Sequence, residues 1–246
     1  MSELLYIVMP VYNEEAVIEK VISEWYPMLE NGSEDSRMVI ADGGSSDSTL
    51  SILYDLQKEY PKLVVFSMPG TEHGSKVIAL YKYAIENNAE WVFQTDSDGQ
   101  TVHEEFLEFW NARHSYDAVF GYRKKRGDGF GRKIIEYVLR VLVAMFFGVF
   151  VPDANAPFRL MRCTALSKYI DFMSEDFSLP NAVITACFAR YKERICFKNI
   201  SFRARTSGKN HMTLIKILQI GFSSFWNFSK VRKTLKKHEK ETSMKG

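Results

Sequence analysis

The chain has 246 residues, of which 46% are hydrophobic and 25% charged, and its formal net charge is +2. This balance is that of a globular protein with enough apolar material for one α/β domain and a small appendage. A net charge so small creates no global field to recruit nucleic acid, so no nucleic-acid partner is expected. The three cysteines form no C-x-x-C pair and indicate buried free thiols in a reducing compartment. The opening "MSELLYIVMPVYNEE" lacks a basic n-region and a cleavage site, which excludes a signal peptide.

The first half of the chain alternates predicted strands and helices. "LLYIVMP", "RMVIAD", "LVVFS" and "WVFQT" are short apolar runs, each followed by a stretch with helical periodicity, and "DAVFGYR" adds a strand. This alternation predicts an α/β fold with a mostly parallel sheet and helices on both faces. Ligands of such sheets bind beyond the carboxyl ends of the strands. The polar segments "ADGGSSDST" and "QTDSDGQT" each follow a strand directly and therefore lie at that edge.

The second half is less regular. "IIEYVLRVLVAMFFGVFV" is strongly apolar, but Arg140 interrupts it and its uncharged part, 141–151, is shorter than the roughly 20 residues of a membrane span. A buried or interfacial helix is expected there. "LPNAVITACFARY" predicts a further helix, "ICFKNISFRAR" a strand, and residues 212–241 one long helix. We therefore predict a domain at 1–211 and a C-terminal amphipathic helix with a basic tail at 212–246.

The segment Asp96-Ser97-Asp98-Gly99-Gln100 places two carboxylates and an amide directly after a buried strand. Oxygen ligands of this kind suit Mg²⁺ or Mn²⁺, whose open positions substrate phosphates would fill. A calcium loop or a solvated turn is the alternative. The EF-hand pattern is absent because its twelfth position, which should be acidic, is Leu107.

Two other polar segments are ambiguous by themselves. "MPVYNEE" is adequately explained as a strand-to-helix turn, with Glu14 and Glu15 favoured by the helix dipole, although the ring of Tyr12 is available for stacking on a base. In "IADGGSSDST", Gly43 and Gly44 allow close backbone approach and the loop could cradle a phosphate. It matches neither a Walker loop nor G-x-G-x-x-G.

Taken in order, "VMPVYNEE", "IADGGSSDST" and "TDSDGQ", followed by "GYR", "DANAPFRLMR" and "RTSGKNHM", resemble the family 2 glycosyltransferases with the GT-A (Rossmann-like) fold. The chain is most similar to dolichyl- or polyprenyl-phosphate sugar transferases, whose metal motif is D-x-D-x-Q. The resemblance implies an inverting, hexosyltransferase-like enzyme of cell envelope biosynthesis. It would use Mg²⁺ or Mn²⁺, a nucleotide-diphosphate sugar donor and a lipid-phosphate acceptor.

The resemblance also implies roles for individual residues. Pro10, Tyr12 and Glu14 would line the nucleotide pocket, and Asp42 would contact the base. Asp96 would reach the ribose and the metal, while Asp98 and Gln100 would hold the metal on the diphosphate. The chain departs from the family pattern at Gly43, where relatives often have a second acidic residue. It departs again at Ala156-Pro157, where relatives have Ser-Gly, and after Gly208.

Basic side chains follow the strand "DAVFGYR". Arg123 and Arg132 are the predicted phosphate ligands, with Arg205 and Lys209 as later partners, because arginine suits bidentate phosphate contacts. The alternative is a solvated charged loop. A lipid phosphate is already ionised, whereas a hydroxyl acceptor requires a base. Asp153 is the first candidate for that base and Asp176 the second, although Asp153 is equally well explained as a turn residue.

The segment 222–237 changes from aromatic to basic along one predicted helix. Such a helix can lie on an anionic membrane surface, or it can dock on the domain with a solvated basic tail. We predict a cytoplasmic protein. If the helix lies on a membrane, the protein would be peripheral on the cytoplasmic face of that membrane. Two other functions remain open: a glycosyltransferase that extends a cell-surface polysaccharide or glycan, and a non-catalytic GT-A module that binds a nucleotide.

Overall fold

The structure is a computed structural model that describes residues 3–123, 130–203 and 214–243, and within them not the side chains of 130–133, 214–221 and 242–243. The described strands form one sheet: β1 (Leu5–Val11), β2 (Arg37–Asp42), β3 (Leu63–Ser67), β4 (Trp91–Thr95), β5 (Ala118–Tyr122), β6 (Phe158–Arg162) and β7 (Ile195–Asn199). Their order across the sheet is β3-β2-β1-β4-β6-β5-β7.

Helices cover both faces of the sheet. They are α1 (Ile18–Trp25), α2 (Thr49–Glu59), α3 (His73–Glu86), α4 (Phe106–Ala112), α5 (Phe130–Phe147), α6 (Cys163–Ile170), α7 (Pro180–Arg190) and α8 (Leu214–Ser243). The predicted α/β fold with a mostly parallel sheet is confirmed.

The strands next to β1 pair with it in parallel, so their carboxyl ends share one edge. Val8 of β1 lies opposite Val39 of β2 on one side and Gln94 of β4 on the other. Every residue of β1 is buried, as expected of a central strand covered on both faces. β6 is the exception to the parallel order, because it runs antiparallel to both β4 and β5.

Two hydrophobic cores lie on the two faces of the sheet. One contains Trp25, whose ring stacks on Phe93 at 5.4 Å, together with residues of α1 and α4. The other contains α3, α5 and α7 and also the inner face of α8, where Phe228 and Leu235 are fully buried. The long C-terminal helix expected from the sequence is therefore packed on the domain. The predicted boundary between 211 and 212 lies outside the described residues.

A membrane-spanning helix requires both length and a sustained apolar composition. Over the three described ranges, no helix is both long enough and apolar enough to cross a membrane. This includes α5, despite its apolar sequence.

The loops that follow β1, β2 and β4 are joined by hydrogen bonds at the shared edge of the sheet. The main-chain N–H of Asn13 donates to Ser45 Oγ at 2.9 Å, which joins the first loop to the second. The hydroxyl of Ser97 donates to the carbonyl oxygen of Pro10 at 3.0 Å, which joins the third loop to the first strand. The three sequence motifs therefore form one connected rim.

Candidate active site

A cavity of about 680 Å³ opens at this rim. Its wall contains Gly43 and Gly44 of the second motif and seven of the predicted site residues: Pro10, Tyr12, Glu14, Asp96, Asp98, Gln100 and Arg123. Strands β1, β4 and β5 bring these side chains together because they run in the same direction and end at the same edge. The ring of Tyr12 is 54% exposed at the cavity wall, which leaves a face available to a planar ligand.

The acidic loop after β4 has a fixed backbone. The main-chain N–H of Gln100 donates to Asp98 Oδ1 at 3.1 Å, and Gly99 between them has a φ of +69°. A residue with a side chain is strained at this φ, so glycine is required by the turn and not by crowding. The nearest atom to an added Cβ is Val21 Cγ2 at 3.7 Å, an ordinary contact distance. The turn therefore holds Asp96 and Asp98 at the mouth of one cavity.

The electrostatics of the loop favour a bound cation. Burial raises the pKa of Asp96 to about 7, and the negative charge of Asp98 adds to this rise while Arg123 opposes it. Two carboxylates in one loop repel each other, and a cation between them would relieve that repulsion. The donor set is all oxygen, which suits Mg²⁺ or Mn²⁺ bound through two carboxylates and completed by phosphate and water. Among the described residues, no group of three or more His, Cys, Asp or Glu side chains is arranged to hold a metal by itself.

Gln100 ties the acidic loop to the chain that follows β7. Its Nε2 donates to the carbonyl oxygen of Arg203 at 2.8 Å, and the N–H of Arg203 donates back to the carbonyl oxygen of Gln100 at 2.7 Å. Only an oxygen of the amide can ligate a hard cation, so the Nε2 bond orients Gln100 without using its potential ligand atom. The same bonds bring Phe202 to the cavity wall.

A buried polar cluster lies behind Asp96. Gln94 Oε1 accepts hydrogen bonds from Tyr81 Oη at 3.1 Å and from Asn181 Nδ2 at 2.8 Å. This arrangement turns Gln94 Nε2 toward Asp96 Oδ1, 3.5 Å away. All three network side chains are almost fully buried, so α3, β4 and α7 together position the carboxylate.

Lys76 is a cavity residue that the sequence analysis missed. Its ammonium donates to the carbonyl oxygen of Val11 at 2.7 Å and lies 5.5 Å from the centre of the Tyr12 ring. A Cβ added to Gly43 would lie 2.6 Å from Lys76 Nζ, so glycine at this position makes room for the ammonium. Burial lowers the pKa of Lys76, and the charges of Asp42 and Glu72 act in the opposite direction. A lysine within the buried stripe of α3 was the signal available in the sequence.

Asp42 lies behind the cavity wall. It is fully buried, and its Oδ2 accepts hydrogen bonds from the main-chain N–H of Gly44 at 2.9 Å and of Ser45 at 3.0 Å. Its other oxygen accepts from the Ser45 hydroxyl. Gly44 has a φ of +84°, so the carboxylate stabilises a loop that turns through the left-handed region. In this geometry Asp42 shapes the loop that presents Gly43 and Gly44 to the cavity.

Arg123 and Asp153 form a bidentate ion pair at the edge of the cavity. Arg123 Nε lies 2.8 Å from Asp153 Oδ2, and Nη2 lies 3.0 Å from Oδ1. The Asp153 side chain is fully buried, whereas Arg123 reaches the cavity and its guanidinium lies 5.5 Å from the centre of the Phe202 ring. Both carboxylate oxygens of Asp153 are thus engaged by one guanidinium.

The remaining predicted site residues lie elsewhere. Asp176 is exposed in a second cavity of about 710 Å³ between β3 and α3, and a hydrogen bond from Ser174 lowers its pKa. Arg132 lies in α5 but its side chain is among those not described, and Arg205 and Lys209 lie outside the described residues. The departure at Ala156-Pro157 adjoins Arg159, whose buried guanidinium donates to the carbonyl oxygen of Ala156 at 2.8 Å and 3.1 Å.

A mostly parallel sheet with loops at the carboxyl edge of its parallel strands and a polar cavity between them defines the class of α/β proteins that bind ligands at that edge. The profile of "Glycosyl transferase family 2" matches residues 6–171 of the sequence. The chain belongs to this family. The recognition made from the sequence motifs is confirmed.

Curated relatives carry names from the same family. The chain is 22% identical over 223 residues to an undecaprenyl-phosphate 4-deoxy-4-formamido-L-arabinose transferase of Shewanella sediminis, an alignment that covers 89% of this chain and 65% of the relative. It is 29% identical over 110 residues to a dolichyl-phosphate beta-glucosyltransferase of Trichomonas vaginalis, covering 43% of this chain and 33% of the relative. The chain thus spans less than two thirds of the length of these relatives.

Solved structures with the GT-A fold superpose on most of the chain. Glucosyl-3-phosphoglycerate synthase of Mycobacterium tuberculosis, in complex with Mn²⁺, UDP and phosphoglyceric acid, gives a TM-score of 0.64 at 18% identity and covers 93% of this chain and 78% of that one. TarS of S. aureus, in complex with UDP-GlcNAc, gives a TM-score of 0.56 at 20% identity, and the superposition covers 85% of this chain and 60% of TarS. The GT-A fold expected from the sequence is confirmed.

Proposed function

We propose that the chain is an inverting, metal-dependent glycosyltransferase that moves a sugar from a nucleotide-diphosphate donor to a lipid-phosphate acceptor. One observation carries the proposal: Asp96, Asp98, Lys76 and Arg123 converge on a single cavity at the carboxyl ends of β1 and β4. Two carboxylates suit a cation, and two cationic side chains suit a diphosphate. The UDP-bound GT-A structures support this donor class, and the names of the curated relatives support a lipid-phosphate acceptor.

The donor would lie with its base against the exposed ring of Tyr12 and its diphosphate toward Asp98 and Arg123. Asp96 and Asp98 would hold Mg²⁺ or Mn²⁺, which when bound would offset the negative charge that grows on the leaving nucleotide diphosphate. Arg123, kept in place by Asp153, would contribute a fixed positive charge at the same end of the cavity. A preoriented charge stabilises the leaving group without reorganising during the reaction.

The acceptor proposal rests on where the two predicted bases lie. Asp153 is paired through both oxygens with Arg123, and Asp176 lines the other cavity. A hydroxyl acceptor needs a base beside it, whereas a phosphate monoanion or dianion is already a nucleophile. We therefore assign Asp153 a positioning role. Because Glu14 and Glu72 also line the donor cavity, the lipid-phosphate acceptor is supported further by the names of the curated relatives.

The test is a transfer assay with the purified chain. UDP-, GDP- and ADP-sugars are each incubated with undecaprenyl phosphate in detergent or with a soluble oligosaccharide, in Mn²⁺ and in EDTA. We expect metal-dependent transfer to the lipid phosphate, with inversion at the anomeric carbon in the NMR spectrum of the product. Asp98→Asn should abolish the transfer, and Asp55→Asn, the same change on the exposed face of α2, should not. Transfer to the oligosaccharide alone would establish the polysaccharide alternative, and nucleotide binding with no transfer would establish the non-catalytic one.

A further inference from the structure

An apolar stripe is exposed along α5. Tyr137, Val141 and Met145 are four residues apart and therefore lie on one face of the helix. They are 67%, 46% and 57% exposed, whereas Leu139 and Val143 on the opposite face are buried in the core. Phe150, just beyond the end of the helix, is 91% exposed. Large side chains this exposed leave an apolar surface without a partner within the described chain.

The outer face of α8 continues this apolar surface. Phe222, Phe225 and Trp226 are 69%, 43% and 55% exposed, while Phe228 turns inward to the core. The Phe225 ring lies 5.0 Å from that of Phe146 on α5, so the exposed faces of the two helices adjoin. Seven of the ten large exposed apolar side chains in the described residues belong to this surface: Tyr137, Val141, Met145, Phe150, Phe222, Phe225 and Trp226. We call these seven residues the docking patch.

Lysines extend the docking patch toward the C-terminal end of α8. Lys233 and Lys237 follow Trp226 at seven and eleven residues, about two and three turns, so all three lie on the same side of the helix. Both lysines are exposed, as are Lys236 and Lys240. The ion pair of Lys237 with Glu241, at 3.9 Å and well exposed, offsets little of this charge. The surface is therefore apolar at one end and positively charged at the other.

We propose that the docking patch and these lysines bind the surface of a bilayer that contains anionic lipids. Aromatic side chains at an interface and lysines beside the headgroups are the two features that hold a peripheral helix on such a membrane. The charge complementarity favours a lipid surface over a second copy of this chain, because a second copy would present the same positive charge.

The docking patch also lies close to the donor cavity. Phe150 is three residues from Asp153, a distance of at most about 11 Å along the chain, and Asp153 holds the cavity residue Arg123. Docking through Phe150 would therefore bring the diphosphate end of the cavity near the headgroups. This consequence rests on the proposed lipid-phosphate acceptor, but membrane binding by the docking patch does not.

The experiment measures binding to vesicles by flotation and by fluorescence. Trp226 is the one tryptophan of four that is exposed, since Trp25, Trp91 and Trp110 are at most 4% exposed. Brominated lipids should therefore quench Trp226 selectively if the docking patch inserts. We expect binding to phosphatidylglycerol-containing vesicles at low salt, weaker binding in high salt, and quenching by bromines near the headgroups.

Two variants and a matched control locate the contact. Phe150→Ser combined with Phe222→Ser should weaken binding by more than about tenfold. Lys233→Glu combined with Lys237→Glu should abolish the preference for anionic vesicles. Tyr54→Ser combined with Leu107→Ser, which removes exposed apolar side chains from α2 and α4, should change nothing.

Each other outcome overturns the proposal. Absence of binding at low salt, or equal binding by the docking-patch variant and the control variant, excludes the docking patch as the membrane contact. A dimer that the docking-patch variant dissociates would assign the surface to self-association. The proposed function fails separately, by absence of transfer to undecaprenyl phosphate in detergent. Docking-patch variants should retain full transfer to a short-chain, water-soluble polyprenyl phosphate, because the docking patch lies outside the donor cavity.

Discussion

The guanidinium of Arg123 is clamped by both carboxylate oxygens of Asp153, at 2.8 Å and 3.0 Å. The Asp153 carboxylate is fully buried and the Arg123 side chain is 9% exposed. The aspartate therefore holds the positively charged guanidinium in a fixed position at the edge of the cavity. A bidentate pair has a defined geometry that a single hydrogen bond lacks. This relationship explains why an acidic residue after β5 and α5 contributes to a site for a negatively charged ligand.

Asp153→Asn should weaken nucleotide-diphosphate binding because Arg123 loses its anchor. Removing one partner of a buried ion pair also destabilises a fold by about 3–5 kcal/mol, so the variant should unfold at lower urea concentration. Binding of UDP by calorimetry, without sugar or acceptor, separates the two roles of Asp153. A positioning residue affects this binding, and a base that acts only on the acceptor does not. Asp176→Asn, the same change in the other cavity, is the control and should leave UDP binding unchanged.

Asp98→Asn should remove the metal-dependent part of nucleotide binding. A ligand at 100 times its dissociation constant stabilises a fold by about 2.7 kcal/mol, which thermal unfolding detects readily. We expect UDP with Mn²⁺ to raise the Tm of the parent more than UDP with EDTA, and this difference to vanish in Asp98→Asn. An Asp98→Asn variant that keeps the full Mn²⁺-dependent rise would contradict the assignment. The apo Tm checks that the fold survives the change.

Lys76→Met should raise the donor dissociation constant while leaving the fold largely intact. A hydrogen bond involving a charged group contributes about 1.5–3 kcal/mol, so a loss of about tenfold or more in affinity is expected. Gly43→Ala should also raise the donor dissociation constant, because its Cβ would lie 2.6 Å from Lys76 Nζ and 3.1 Å from the carbonyl oxygen of Thr71. Lys82→Met, on the outer side of the same helix and paired with Glu175, is the matched control. Equal donor affinity in Lys76→Met and Lys82→Met would place the nucleotide away from Lys76.

Glu239 should make the attachment of α8 dependent on pH. Hydrogen bonds from Arg190 and Tyr191 hold the pKa of Glu239 below its ordinary value of 4.5. A carboxyl whose pKa is lowered by folding stabilises the fold above its unfolded pKa, and this stabilisation is lost as the pH falls through the folded value. Glu239→Gln should therefore cost about 1 kcal/mol or less at pH 7, and the difference from the parent should shrink below pH 4.5. Urea unfolding of both proteins at pH 7 and below pH 4.5 measures this difference in the free energy of unfolding. If the difference is the same at both pH values, the ion pair of Glu239 is not its source.

Several features of the fold were missed for identifiable reasons. β6 was not recognised because its short run contains Arg159 and Arg162, which resemble an exposed loop in the sequence. In the fold Arg159 is fully buried. It can be buried because its guanidinium donates hydrogen bonds to the carbonyl oxygens of Ala156 and Asn181. Lys76 was overlooked for a related reason, because its buried charge is satisfied by Val11, 65 positions earlier in the chain. Partners so distant in sequence leave no local pattern.

The sequence by itself determined the α/β fold, the family and the loops that line the cavity, because each depends on a local pattern: an apolar run, a helical period, or a motif directly after a strand. Only the tertiary structure decided how individual side chains are used. It paired Asp153 with Arg123, placed Asp42 behind the cavity wall and Asp176 in a second cavity, and joined the exposed faces of α5 and α8. These outcomes depend on which hydrogen-bond and packing partners meet across the sheet, and such contacts join residues far apart in the chain.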